Sequence, residues 1–150
     1  MRVLLQRVSE ASVVITGEKV SGIGPGFLIL LGVGAGDDVA DIAWLCGKIA
    51  RMRIFPDDEG KMNRSILDGG GDVLVVSQFT LHASTKKGNR PSFLGAAHPD
   101  VSEPLYESFC EAMATELGKP VARGVFGADM KVTLTNDGPV TIWLDSRARE

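Results

Sequence analysis

Histidine and cysteine are scarce in this 150-residue chain, with two of each, and that scarcity removes several kinds of protein at once. Cys46 and Cys110 lack the C-x-x-C spacing of a zinc or redox site and lie in apolar, helix-like stretches. They fit small core side chains in a reducing compartment. His82 and His98 have no neighbouring cluster of cysteines or carboxylates, which argues against a catalytic metal. No apolar run approaches the length of a membrane-spanning helix. Residues Met1 to Ile15 carry polar groups every second or third position, without the apolar stretch and cleavage pattern of a secretory leader. A cytoplasmic protein is expected. Positive charge is not in excess either: a net charge of -3 argues against a general polyanion binder, whose affinity comes from a basic surface.

What is present points to one domain spanning residues 1–150, with no repeat, linker or low-complexity segment. At this size a single core buries roughly 68–70% of the surface the unfolded chain exposes. Glycine is the one residue in clear excess, 18 in all, so many backbone positions call for positive φ or close approach.

Alternation in Val3–Val8 and Ala11–Ile15 predicts one long bent strand or two short ones, broken near Ser9-Glu10 and followed by a hairpin turn at Thr16–Lys19. The continuous run Phe27–Leu31 suits a strand buried on both faces. Asp37 and Asp38 open a helix whose apolar spacing runs from Val39 through Met52 to Phe55. Pro56–Gly60 is a solvated turn. After three glycines, Asp72–Val76 reads as another buried strand continuing into Ser77–Leu81. Residues 82 to 101 form a long polar loop, and loops of that length in a compact domain are usually functional. A second helix is predicted from Ser102 as N-cap to Leu117, stopped by Gly118 and Pro120. Strands at Val121–Arg123, Asp129–Thr135 and Val140–Leu144 complete the chain. The order predicts an α/β or α+β domain: a curled, partly barrel-like mixed β-sheet with two main helices.

Several segments could carry chemistry. Gly32-Val33-Gly34-Ala35-Gly36-Asp37 lies between a strand and a helix, but its G-x-G-x-G spacing is not that of a dinucleotide loop, and aspartates at the helix start repel a pyrophosphate. It reads as a flexible turn. A hydrolase using Thr80 as nucleophile would need a histidine base. In a strand, His82 would share the face of Thr80; no G-x-S-x-G elbow supports the pair, and an exposed histidine at the loop edge is the plainer account. Lys86, Lys87 and Arg90 stand among neutral residues from Ser84 to Ser92. They are either solvated or contacts for backbone phosphates, and Lys48, Arg51 and Arg53 would extend the patch if the fold brings them near. In Asn136-Asp137-Gly138-Pro139-Val140-Thr141, Asp-Gly signals a hairpin. Only X-Pro bonds adopt the cis form with any frequency, and a cis Gly138-Pro139 bond would redirect two carbonyls into a side-chain-free set of acceptors.

Ser77-Gln78-Phe79-Thr80-Leu81 and Asn136–Thr141, in this order and at this length, resemble the two signature motifs of the D-aminoacyl-tRNA deacylase (D-tyrosyl-tRNA deacylase) family. The likeness covers the whole chain, including Met1-Arg2-Val3, Gln6-Arg7-Val8, Lys86–Phe93 and Phe126–Met130. It implies a homodimer with active sites at its interface, needing no cofactor or metal. The implied reaction hydrolyses the ester between a D-amino acid, or glycine mischarged on tRNA-Ala, and the 3′-terminal adenosine of tRNA. It further implies catalytic positions at Ser77, Gln78, Phe79 and Thr80, with Phe79 and Thr80 receiving the adenosine and the ester. A cis Gly138-Pro139 would reach into the partner's site and exclude L-residues, Arg7 would brace that loop, and Phe126 and Met130 would line the pocket. Lys86, Lys87 and Arg90 are the candidate tRNA contacts. Main-chain N–H groups near Phe79 and Thr80 are the candidate oxyanion donors, assisted by the RNA 2′-hydroxyl; a covalent acyl-Thr80 is the rival route. The chain departs from the family pattern at Ser84, where an aspartate is frequent. Two readings from other classes stand beside this one, a Thr80/His82 hydrolase of small esters and a noncatalytic RNA-binding module.

Overall fold

A computed structural model describes residues 1–149. Its framework is one long strand, β1 (Arg2–Ile15), whose alternating side chains pair with three others. The first half of β1 runs antiparallel to β3 (Gly26–Gly32), and the second half to β2 (Glu18–Ile23) across the Thr16-Gly17 turn. Thr16 and Gly17 both have positive φ, 49° and 84°, the backbone a two-residue hairpin requires. The other edge of β1 carries β8 (Lys131–Asp145) along nearly its whole length. β3 pairs in parallel with β6 (Asp72–Ser77), and β6 with the short β7 (Ala122–Arg123). Twist in this mixed sheet curls it into the expected barrel-like α+β domain.

Two apolar layers follow. On one face, Val3, Leu5, Phe27, Ile29, Val73 and Val75 pack under two helices, α1 (Val39–Arg51) and the later α3 (Pro99–Leu117). Inside the curl, Val8, Ala11, Val13, Leu28, Leu74 and Val76 meet Val132 and Leu134 of β8. β3 and β6 are buried on both faces, which is why they read as unbroken apolar runs. Cys46 and Cys110 lie in the helical layer, where burial pushes their thiols up to about 12 and about 11.

Local chemistry explains where the elements depart from expectation. α1 opens with a reciprocal capping box between Asp38 and Asp41, but ends at Arg51, because Met52 is extended (ψ 125°) and Phe55 enters a short hairpin. That hairpin is β4 (Phe55–Pro56) with β5 (Met62–Arg64), followed by a single turn, α2 (Ile66–Gly69). α3 begins three residues before the predicted cap: Pro99 occupies a first position where its missing N–H costs nothing, and Ser102 donates inside the first turn to the His98 carbonyl at 3.1 Å. The strand through Ser77 does not continue to Leu81; Phe79–His82 is a 3₁₀ turn. Nor do Asn136–Pro139 form a hairpin. β8 is one strand, and this segment is extruded from its middle.

Candidate active site

The cleft opens at the carboxyl ends of the parallel strands β3 and β6, the place where sheets of this kind generally take ligands. The Gln78 N–H donates to the Leu31 carbonyl at 2.7 Å, extending the pairing one residue beyond β6, and the chain then folds into the Phe79–His82 turn. The first N–H groups of such a turn have no acceptor within it. Gln78 leaves them uncapped, because its side-chain amide donates instead to Thr80 Oγ1. Phe79 and Thr80 thus present main-chain donors next to a cavity of about 660 Å³.

Ser77, Gln78 and Phe79 line that cavity, with Phe126 and Met130 across from them. Tyr106 forms part of its inner wall, its hydroxyl donating to the Val75 carbonyl at 2.9 Å and its pKa raised by burial. A Cβ at Gly124 would stand 2.6 Å from the Met130 sulfur, so a side chain there would make Met130 shift. At the mouth, Phe79 is 57% exposed and meets Phe93 edge to face, ring centroids 5.1 Å apart. One aromatic surface is left open to a flat ligand. Phe93 and Tyr106 are the site residues that sequence reasoning passed over. Tyr106 lies in a segment read only as helix, and Phe93 has no local signal beyond its place behind the basic loop.

Thr80 and His82 are not brought together. Thr80 is exposed, with its hydroxyl engaged by Gln78. The His82 ring turns the other way, packed against the backbone at Gly32 and Gly34 with Nε2 buried and unpartnered. The 3₁₀ geometry, with three residues per turn, separates side chains that a strand would align.

Gly138, Pro139 and Arg7 form a second cluster. Between the pairs Gln6–Thr141 and Val8–Asn136, four residues of β8, Asp137 to Val140, stand opposite the single residue Arg7. The extruded loop is tied at its base by the Val140 N–H, which donates to Asn136 Oδ1 at 3.1 Å. Arg7 is buried beneath it, donating through Nε to the Asp137 carbonyl at 2.9 Å and through Nη1 to the Ile54 carbonyl, its guanidinium over Phe55. Gly138 has a φ of 140° and its bond to Pro139 is cis; both residues are exposed. They do not reach the cleft of their own chain. Neither residue lines it: of β8 the cleft takes Val132, six residues before Gly138.

The basic residues are also divided. Lys86, Lys87 and Arg90 are exposed on a loop cinched by reciprocal Ser84–Ser92 backbone hydrogen bonds of 2.7 and 2.9 Å, so the serine at position 84 serves through its main chain. Arg53 precedes Ile54, which Arg7 holds at the far end of β3. Lys48, Arg51 and Arg53 therefore do not extend the patch. Among the described residues, no group of three or more His, Cys, Asp or Glu is placed to hold a metal ion. Nor, among the described residues, is any helix long and apolar enough to cross a membrane.

Curled sheet, helix-backed cleft and extruded main-chain loop together define a small α+β domain with a ligand-sized cleft. The chain belongs to the D-Tyr-tRNA(Tyr) deacylase family, whose model matches residues 4–145. It is 59% identical over 150 residues to the D-aminoacyl-tRNA deacylase of Bacteroides thetaiotaomicron, covering all of both chains. It is 62% identical over 146 residues to that of Thermomicrobium roseum, covering 97% of this chain and 94% of the other. Among solved structures, one described as c-Myc DNA Unwinding Element Binding Protein superposes with a TM-score of 0.91 at 39% identity, covering 97% of this chain and 98% of that one.

Proposed function

We propose that the chain is a D-aminoacyl-tRNA deacylase that acts as a homodimer, releasing D-amino acids, and glycine, from the terminal adenosine of tRNA. The observation that carries the dimeric reading is that the Gly138-Pro139 loop is exposed and lines no part of the cleft of its own chain. A second copy resolves the separation by lending its loop to the first copy's cleft. The outer edge of β8, which among the described residues pairs only with β1, supports this, since a long unpaired edge is normally covered. So does Trp143, half exposed on that strand.

In this reading the terminal adenine stacks on Phe79, and the ester carbonyl points at the N–H groups of Phe79 and Thr80. Those donors stabilise the oxyanion that develops as water attacks, one well-placed donor being worth roughly 2.7–4 kcal/mol. The RNA 2′-hydroxyl assists, and the chain mainly positions. Main-chain carbonyls of the partner's Gly138 and Pro139 take the substrate ammonium. The α-hydrogen of a D-residue then faces the proline wall, where an L-residue would put its side chain. Because the acceptors are backbone atoms, the site is indifferent to side-chain identity yet excludes one hand, and each tenfold of discrimination requires about 1.4 kcal/mol. Lys86, Lys87 and Arg90 meet backbone phosphates. A substrate drawn from translation puts the enzyme in the cytoplasm.

Deacylation of matched D- and L-aminoacyl-tRNAs and of glycyl-tRNA tests this directly. D-aminoacyl- and glycyl-tRNA should be cleaved and the L-form spared. Equal cleavage of both hands, or of neither, rejects the proposal; equal rates on free D-amino-acid esters favour the small-ester enzyme. Binding of tRNA without cleavage leaves an RNA-binding module.

A further inference from the structure

His82 closes the 3₁₀ turn that bears Phe79 and Thr80, and its imidazole is the anchor of that turn on the sheet. The ring occupies space that two glycines leave vacant. A Cβ on Gly34 would stand 2.7 Å from its Cε1, and one on Gly32 would stand 3.1 Å from its Cδ2. Its backbone lies beside Gly95 of the following loop. Nε2 is buried without a well-formed hydrogen bond; the Gly32 backbone is the polar group that faces the ring, and packing holds the rest of it. A weakly satisfied polar atom in such a place costs free energy.

We propose that His82 is a positioning residue for the deacylation reaction, its neutral ring seating the Phe79–Thr80 donors at the cleft, and that protonating it unseats the turn. This rests on the active-site reading above. The groups facing the ring set the sign. From β1 come the Met1 ammonium and Arg2, which oppose a positive imidazolium; from the start of α1 comes Asp37, which favours one. Asp37 is already engaged by the Met1 ammonium at 2.7 Å and by Arg147 at 2.9 Å, and Arg2 by Asp145 at 3.0 Å. From β3 comes the Gly32 backbone, which favours a proton on the ring and is second only to burial in its influence. Burial is the largest influence and lowers the pKa below the ordinary 6.5. The folded state thus disfavours the proton. The neutral seat is intact at neutral pH and is lost as pH falls through that lowered value. Arg2 adds a link, since its Nη1 donates to the Leu81 carbonyl at 3.0 Å, within the same turn.

Two measurements on the intact protein test the idea. In an NMR titration, the His82 ring should titrate below 6.5, with the Phe79 and Thr80 amide resonances shifting at the same midpoint. A ring titrating at or above the ordinary value, or amides that ignore it, overturns the proposal whether or not the chain deacylates tRNA. In kinetics on a D-aminoacyl-tRNA, kcat should fall along an acid limb of unit slope that His82→Phe, which keeps a ring and cannot titrate, removes. His82→Ala should lower kcat at least tenfold with KM within twofold. An unchanged acid limb in His82→Phe, or an unchanged kcat in His82→Ala, equally refutes it.

Discussion

Arg7 joins three segments that are far apart in sequence, and replacing it by methionine isolates what its charged end contributes. Methionine retains an apolar stem against Phe55 and removes the guanidinium. That group, in a residue only 8% exposed, donates to the carbonyls of Asp137 and Ile54. Hydrogen bonds made by a charged group contribute about 1.5–3 kcal/mol each. The flanking ion pair with the Asp137 carboxylate adds little, because that side chain is 55% exposed. Removing a buried guanidinium also returns part of its desolvation cost, so the net loss should fall near the low end, about 3 kcal/mol for the two bonds. With a urea slope of about 1–3 kcal/mol per molar, the unfolding midpoint drops by about 1–3 M, followed through the fluorescence of Trp44 and Trp143. The folded variant should also lose at least about tenfold in D-over-L selectivity, or 1.4 kcal/mol, because the extruded loop has lost its tether. A midpoint within error of the parent would show that Arg7 does not brace the loop. A lowered midpoint with full selectivity would show that the loop does not read chirality.

The other predictions concern the cleft and the loop itself. Gly138→Ala puts a Cβ 2.8 Å from Val140 Cγ2 at a φ of 140°, so it should cost about 1–3 kcal/mol of stability and impair D-aminoacyl-tRNA cleavage; a fully selective variant with parental stability speaks against the loop's role. Phe79→Ala should raise KM for aminoacyl-tRNA by the equivalent of about 1–3 kcal/mol, the usual contribution of one stacked base, as read by initial rates. An unchanged KM would move the adenine elsewhere. Thr80→Ala should retain substantial activity, and rapid quenching should capture no acyl-enzyme; an acylated Thr80 in the parent would establish the covalent route.

How far the sequence foretold this molecule depends on how local each signal is. β3 and β6 were legible because strands covered on both faces must be apolar throughout. The 3₁₀ turn was not, because Ser77-Gln78-Phe79-Thr80-Leu81 alternates as a strand would, and only the end of the parallel pairing at Leu31 stops it. Asn136–Pro139 carried hairpin chemistry, yet the partner of both flanking segments is the same strand, more than a hundred residues earlier. No local pattern records such a pairing. Ser102 had the chemistry of a cap and was outcompeted by Pro99, a better first residue. The cleft residues were accessible chiefly through family resemblance, since main-chain donors leave no side-chain signature.

The extruded loop also sets the inward-facing side of β8. Val132, Leu134, Val140, Ile142 and Leu144 are all even-numbered, so in a regular strand they would share one face. They do not: the first two pack inside the curl and the last three under the helices. Four residues opposite one amount to three extra, and an odd excess reverses which face the even positions occupy. Strand β1 makes the matching reversal with one unpaired residue, Ser9, between Val8 and Glu10. The segment proposed to read substrate chirality is therefore also a parity switch between two cores. Shortening it by one residue would turn Val140, Ile142 and Leu144 toward the wrong layer, so its length is constrained by packing as firmly as its chemistry is by the substrate.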